Sequence, residues 1–175
     1  ANVWDKPRVF WKDLIRKSPI QTTANDALAE IYLDMDLPRI ALNHCDLAIL
    51  YFDTRQFEPE HFSARLTQAR AFQRLGLLPS ALGSYSRILE HRPEDLEAGM
   101  GAGHVLGMMG RHEDALRAFL NVAAKHPAHA PAYHNAGLAL CNLRRFPEAI
   151  QLLDQARQLS PRDPTVLIDL ARALH

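Results

Sequence analysis

Residues 130–163 read APAYHNAGLALCNLRRFPEAIQLLDQARQLSPRD, and this stretch decides the fold. Small residues stand at its eighth and twentieth positions, Gly137 and Ala149, and Pro161 occupies position 32. Pro147 falls where a second helix can begin, because the first turn of a helix does not use the N–H group that proline lacks. The stretch therefore predicts two helices joined by a short turn.

The same pattern recurs along the chain with a fixed period. Proline recurs every 34 residues at Pro59, Pro93, Pro127 and Pro161, and alanine recurs in the same frame at Ala81, Ala115 and Ala149. A period of this length indicates an array of helical hairpins. Upstream, Pro19 to Pro59 and Ala41 to Ala81 are both separated by 40 residues, so an insertion of about six residues is expected near residues 53–59.

Two positions of the unit are held by small residues throughout. Position 8 is Ala29, Ala69, Gly103, Gly137 and Ala171, and position 20 is Ala41, Ala81, Ala115 and Ala149. Two helices approach to about 8 Å only where the side chains at their crossing are tiny. Larger residues are then expected to fill the core beside the crossing. These are Tyr32, Phe72, Leu106, Leu140 and Leu174 at position 11, and Trp11, Cys45, Tyr85, Phe119 and Leu153 at position 24.

The sequence predicts an all-α chain, since no segment alternates as a strand does. Helices are expected at about 7–17, 22–35, 38–52, 60–75, 79–91, 94–109, 112–125, 128–143, 146–159 and 162–174. The predicted organisation is a single array over 1–175. It comprises a partial leading unit at 7–17, a repeat with an insertion at 22–61, repeats at 62–95, 96–129 and 130–163, and a half repeat or capping helix at 164–175.

These residues resemble the tetratricopeptide repeat family, and the resemblance covers about residues 7–175. The best-matching unit contains Tyr133, Ala136, Gly137, Leu140, Ala149, Leu153, Ala156 and Pro161. The resemblance implies a right-handed superhelical array of antiparallel hairpins whose first helices line a concave surface. It also implies a module that binds a peptide or a partner protein. An enzyme is not expected, because an open groove cannot exclude water from a reaction.

The N-terminal segment is similar to a second pattern. Trp4, Phe10, Trp11, Asp13 and Lys17–Pro19 look like the passage W.....[LF]W.D...KSP, which joins the last membrane helix to a trailing repeat array in multi-spanning membrane glycosyltransferase-like proteins. The resemblance implies an extracytoplasmic tail, although a cytoplasmic location stays open. Trp11 and Pro19 are equally positions 24 and 32 of a leading partial repeat. No apolar run approaches the roughly 20 residues that span a bilayer, so membrane insertion by this chain is not expected.

Positions 5, 9 and 13 of each first helix are expected to line the groove. They are Asp26, Glu30, Asp34, Leu66, Arg70, Arg74, Met100, His104, Met108, His134, Leu138, Asn142, Ile168 and Arg172. This face runs from acidic through basic to apolar, which predicts a ligand with basic residues at one end and apolar residues in its middle. A simpler alternative is that Glu30 pairs with Arg70 and the rest is a solvated wall. The Lys and Asn clamp of chaperone-binding family members is not matched.

Five glycines cluster in one predicted helix, where each interior glycine costs roughly 1 kcal/mol relative to alanine. They are Gly99, Gly101, Gly103, Gly107 and Gly110. Position 8 explains Gly103 and position 15 explains Gly110. The other three are interpreted either as places where a ligand backbone approaches or, preferably, as neutral drift.

Charge and chemistry exclude several other functions. Lys plus Arg and Asp plus Glu each number 20, so no net field draws the chain to nucleic acid. Cys45 and Cys141 lie almost three repeats apart and are expected to be free. No nucleophile has an adjacent base, and the pair His126 and His129 lacks further ligands. We therefore expect no catalytic residue, no cofactor and no metal.

Three functional classes remain. The first is an adaptor that binds a protein or peptide, and the second is the tail of a membrane glycosyltransferase-like protein. The third is a scaffold that self-associates through its last helix, where Leu167, Leu170 and Leu174 lack a following helix to cover them.

Overall fold

A computed structural model describes residues 9–12, 22–53 and 62–174. Within these ranges there are nine helices, residues 9–12 are also helical, and no residue is in a strand. The helices are α1 (Thr22–Asp34), α2 (Pro38–Asp53), α3 (Phe62–Arg74), α4 (Leu78–His91), α5 (Leu96–Met108), α6 (His112–Lys125), α7 (Ala130–Asn142), α8 (Phe146–Leu159) and α9 (Pro164–Ala173). Each bound lies within two residues of the predicted one. The predicted helix at 7–17 extends beyond the described residues.

The packing divides the chain into two compact units, residues 1–88 and residues 89–175. In the first unit α1 packs against α2 and α3, and α2 packs against α3. In the second unit each helix from α5 to α9 packs against the next one along the chain, and α7 also contacts α9. The predicted all-α fold of helical hairpins is confirmed.

Small residues lie where the helices of a hairpin cross. The position-20 alanines are at most 1% exposed. In the second unit a Cβ added to Gly103 would lie 2.5 Å from Cε1 of Phe119, and one added to Gly137 would lie 2.8 Å from Cγ of Leu153. The large residue at position 24 therefore covers the small residue at position 8 of its own hairpin.

Three interpretations made from the repeat register are corrected. The repeat register places Ala171 and Leu174 in the core, but both are exposed, Leu174 by 62%, which agrees with the separate expectation that no following helix covers Leu174. In intact hairpins the second helix covers these positions, and the described residues contain no second helix after α9. A Cβ added to Gly99 would lie 2.5 Å from Cγ2 of Val122. Close helix packing, and neither drift nor a ligand, explains this glycine.

The turn inside each hairpin adopts the left-handed conformation at position 15. The φ angles are 57° at Asp36, 71° at Gly76, 74° at Gly110 and 59° at Arg144. The amide of the next residue donates to the carbonyl five residues before it, at 2.8–2.9 Å. This hydrogen bond is the one that ends a helix in a Schellman motif. The motif recurs in the turns of all four described hairpins.

Polar side chains join successive repeats of the second unit. Lys125 Nζ donates to the carbonyl of Pro93, and His126 Nε2 donates to the carbonyl of Glu94 at 2.8 Å. We call this pair of contacts the turn latch. It connects the turn that follows α6 to the turn that precedes α5, so the chain enters and leaves the α5–α6 hairpin at one place.

The resemblance to membrane glycosyltransferase-like proteins rests on Trp4, Asp13 and Lys17–Pro19, which lie outside the described residues. It therefore stays a prediction. Among the helices that are described, none combines the length and apolarity needed to cross a membrane.

Candidate functional site

The acidic part of the predicted groove lies on α1. Glu30 and Asp34 are exposed, whereas Asp26 is half-buried and its Oδ1 has no hydrogen-bond partner. Burial raises the pKa of Asp26; a hydrogen bond with Ser63 opposes this rise, and the charge of Glu30 adds to it. The fold thus retains a carboxylate whose charge it does not fully compensate.

The basic part of the predicted groove lies on α3, where Leu66 is half-buried and Arg70 and Arg74 are exposed. Arg74 donates to the carbonyl of Leu33 and lies 3.5 Å from Oδ1 of Asp36. This guanidinium is therefore held at the turn between α1 and α2. The pairing of Glu30 with Arg70 stays a prediction.

The apolar part of the predicted groove begins on α5 in the second unit. Met100 is half-buried against a cluster that includes Val122 and Ala132, whereas Met108 is exposed. His104 accepts a hydrogen bond at Nε2 from the Asn135 side-chain amide at 3.1 Å, and its ring meets Phe119 edge-on, with 5.4 Å between centroids. Burial lowers the pKa of His104, which favours the neutral ring that this hydrogen bond requires.

Three predicted groove residues converge on one cleft of about 370 Å³ in the second unit. Leu138 and Asn142 reach it from α7, and Arg172 reaches it from α9. The start of α8 closes one side. The cleft is also lined by Cys141, Phe146, Asp169 and Ala173. We call it the α7–α9 cleft. Ile168 is exposed on α9 and is not among the residues that line it.

Asp169 organises the polar side of the α7–α9 cleft. His134 Nε2 donates to Asp169 Oδ2 at 2.9 Å, and Arg172 Nη1 donates to Asp169 Oδ1 at 3.0 Å. Both oxygens of Asp169 therefore accept hydrogen bonds from the protein, and the side chain is only 17% exposed. The Arg172 side chain is 77% exposed and lies at the rim of the cleft, paired with Asp169.

Sequence reasoning missed Asp169 because it stands at position 6, which was not assigned to the concave face. The repeat register does contain a pattern that points to Asp169. Asn135, also at position 6, bonds to His104 on the preceding first helix, and Asp169 bonds to His134 in the same way. In the second unit the two polar residues at position 6 thus bond to the previous repeat.

Cys141 places a thiol in the α7–α9 cleft. Its burial and the charge of Asp169 raise its pKa, while Arg172 opposes the rise. Cys45 and Cys141 are both free. Over the described ranges, no group of three or more His, Cys, Asp and Glu side chains could hold a metal ion.

Helical hairpins with small residues at their crossings and a shared left-handed turn define a helical-repeat protein. The sequence model of the tetratricopeptide repeat family matches residues 100–164. Solved structures share this fold along nearly the whole chain. YrrB, described as a TPR protein with an unusual peptide-binding site, aligns with a TM-score of 0.79 and 20% identity over 97% of this chain and 84% of that one.

Two further structures show the same fold. MamA from Desulfovibrio magneticus RS-1 aligns with a TM-score of 0.76 and 21% identity, covering 87% of this chain and 82% of that one. TTC0263, a thermophilic TPR protein of Thermus thermophilus, aligns with a TM-score of 0.71 and 16% identity, covering 98% of this chain and 90% of that one. These likenesses show that the chain has the fold of these helical-hairpin arrays.

A curated relative is BBSome complex member BBS4 of Bos taurus, which is 25% identical over 121 residues. The alignment covers 69% of this chain but 23% of that protein. The chain therefore spans about a quarter of the length of this relative.

Proposed function

We propose that the chain binds a polypeptide segment on the exposed faces of its first helices, and that the α7–α9 cleft receives an apolar side chain of that segment. The observation that carries the proposal is the convergence of Leu138, Asn142 and Arg172 on one cleft. These residues come from two first helices, at the register positions expected to face a ligand.

The chemistry of the cleft suits a peptide. Leu138, Phe146 and Ala173 supply apolar walls, and Asn142 and Arg172 supply hydrogen-bonding groups at the rim. Pockets that bind ligands commonly combine a mostly apolar lining with a few placed polar groups. The cleft volume of about 370 Å³ is at the small end of such pockets and suits one or two side chains.

The first unit has an acidic strip of its own. Asp26, Glu30 and Asp34 lie along α1, and Asp26 is retained although burial raises its pKa. An uncompensated carboxylate costs stability, and such costs are typical of binding residues. We therefore expect a segment that binds the first unit to carry basic side chains.

Selection of peptides from a random display library on the wild-type chain, followed by fluorescence anisotropy, tests the proposal. Leu138→Glu places a charge in the cleft and is expected to weaken binding of the selected peptides at least about tenfold. Leu120→Glu is the matched control because Leu120 is an exposed leucine on α6, away from the cleft. Arg172→Glu provides a second cleft variant if Leu138→Glu reduces folding, which thermal melts would show.

The same assay tests the predicted groove residues on α3 and α5. Arg70→Glu and Met100→Glu are expected to weaken binding of peptides that engage α3 and α5. The proposal fails if the library yields no peptide above background. It also fails if the selected peptides bind Leu138→Glu and Arg172→Glu as tightly as the wild-type chain.

A further inference from the structure

Arg172 carries the exposed charge of the α7–α9 cleft. Its side chain is 77% exposed, whereas the side chain of its partner Asp169 is 17% exposed. The two oxygens of Asp169 accept hydrogen bonds from His134 and from Arg172. A guanidinium has five N–H donors, and the ion pair with Asp169 uses Nη1. A ligand at the rim therefore contacts the cation more readily than it contacts the carboxylate.

The exposure of Arg172 belongs to its position in the repeat. It stands at position 9, and the position-9 residues Glu30, Arg70 and His104 are exposed as well. Further helices follow each of these three residues along the chain. The exposure of Arg172 is therefore a property of the first-helix face that lines the cleft, and it does not depend on α9 being the last helix described.

The inside of the cleft differs from its rim. Leu138 and Phe146 line the cleft with apolar surface. Burial raises the pKa of the Cys141 thiol most, and the charge of Asp169 adds to this rise more than the charge of Arg172 opposes it. An anion is therefore disfavoured beside Cys141. The place for a negative charge is the rim, next to the exposed guanidinium.

We propose that the segment bound at the α7–α9 cleft carries an acidic side chain beside its apolar one, and that this carboxylate pairs with Arg172. The inference rests on the proposed peptide binding and adds the charge of the ligand at this cleft. A guanidinium and a carboxylate form strong, charge-assisted hydrogen bonds, often two in parallel. The apolar side chain then fills the cleft while the carboxylate stays at the rim, where water still reaches it.

The geometry of an extended segment sets the spacing of the two side chains. Successive side chains point to opposite sides, so residues i and i+2 face the same way and lie about 7 Å apart. A cleft of about 370 Å³ has room for one or two side chains. The acidic residue is therefore expected two positions before or after the apolar residue.

A display library with a fixed central leucine and two random positions on each side tests this pattern. Selection on the wild-type chain should enrich Glu and Asp two positions from the leucine. Selection on Arg172→Gln should not. Arg117→Gln is the matched control, because Arg117 on α6 is also 77% exposed and also pairs with an aspartate three residues before it, Asp114. This control should give the wild-type enrichment, since Arg117 does not line the cleft.

Pairs of synthetic peptides then measure the contact by fluorescence anisotropy. A selected peptide with a C-terminal amide is compared with the same peptide in which glutamine replaces glutamate. The glutamate peptide should bind the wild-type chain about three- to tenfold more tightly, and the difference should vanish on Arg172→Gln. Both peptides are measured on the same variant, so a partial loss of folding cancels from the ratio. Raising the salt concentration should shrink the ratio on the wild-type chain.

The outcomes separate this inference from peptide binding itself. A library that yields no peptide overturns both. Peptides that bind with no preference for glutamate, or with the same preference on Arg172→Gln, overturn the acidic ligand alone. Enrichment of Lys or Arg beside the leucine also overturns it, and would assign the rim to Asp169. A peptide that ends in a free carboxylate two residues after the leucine tests the other source of this group. If that peptide depends on Arg172 and the glutamate peptide does not, the side-chain assignment is wrong.

Discussion

The aromatic ring of Phe119 packs directly on the backbone of Gly103, so that a methyl carbon added there would lie 2.5 Å from Cε1 of the ring. The contact joins α6 to α5 within one hairpin. Gly107, one turn further along α5, has no atom within 4 Å of the same added carbon. One helix therefore contains a glycine required by packing and a glycine that packing does not require.

Alanine substitutions at these two glycines should change stability in opposite directions. Gly103→Ala gains helix propensity of about 1 kcal/mol but overpacks the ring, which costs about 1–3 kcal/mol, so the free energy of unfolding should fall. Gly107→Ala should raise it by up to about 1 kcal/mol. Urea denaturation of both variants measures the difference. Equal shifts of the same sign would show that Phe119 moves aside at no cost.

Replacing Arg144 with glycine should stabilise the α7–α8 turn. Arg144 has a φ of 59°, in the left-handed region where residues with a Cβ are strained by about 1–2 kcal/mol. Gly76 and Gly110 already stand at the matching position. Arg144→Gly should therefore raise the unfolding midpoint in urea, whereas Arg144→Ala, which removes the same guanidinium but keeps a Cβ, should not. Equal midpoints for the two variants would contradict a conformational origin.

Neutralising Asp26 should stabilise the protein at neutral pH. Burial raises the pKa of this carboxyl in the folded state, so the folded chain binds the proton more readily than the unfolded chain does. The ionised group therefore opposes folding above its raised pKa, and the penalty disappears as the pH falls through that pKa toward the unfolded value. Asp26→Asn should unfold at higher urea than the wild-type chain at pH 7.

The pH dependence supplies the check on this prediction. The advantage of Asp26→Asn should shrink as the pH is lowered toward the ordinary pKa of an aspartate. Asp34→Asn, on the exposed side of the same helix, serves as the comparison. An advantage that persists unchanged at low pH would show that shape or hydrogen bonding, and not ionisation, distinguishes the asparagine.

The two cysteines should differ in their reaction with a thiol reagent. Burial raises the pKa of both thiols, but Cys45 is fully buried whereas Cys141 lies half-exposed in the α7–α9 cleft. The native protein should release about one equivalent of thionitrobenzoate slowly, and a second only after denaturation. Cys141→Ser should abolish the native reaction. If the native reaction instead persists in Cys141→Ser, Cys45 becomes accessible through opening of the first unit.

The helices could be predicted from sequence because their determinants are local. Pro147 opens α8, Asp95 accepts a hydrogen bond from the amide of Ala98 at the start of α5, and the small residues at positions 8 and 20 mark each crossing. These features depend on residue type and spacing alone. The 34-residue series therefore located every helix bound in the described ranges to within two residues.

The candidate site was predicted less completely, because it depends on how neighbouring first helices are placed. The register selected Leu138, Asn142 and Arg172, but it could not show that Phe146 from the start of α8 closes the same cleft. Nor could it show that Arg74 turns back to the carbonyl of Leu33. A long side chain can reach several hydrogen-bond partners, and only the coordinates show which partner it contacts.

The turn latch has a consequence for how such a chain can change in length. Because Lys125 and His126 hold the carbonyls of Pro93 and Glu94, the α5–α6 hairpin begins and finishes at adjoining points. Such a segment can be duplicated or lost as a unit. If the 34 residues between Pro93 and Pro127 were duplicated or lost, the two backbone ends to be joined would lie a short distance apart. Genes for such chains can gain or lose whole hairpins in a single event, so selection can change the length of the array one hairpin at a time.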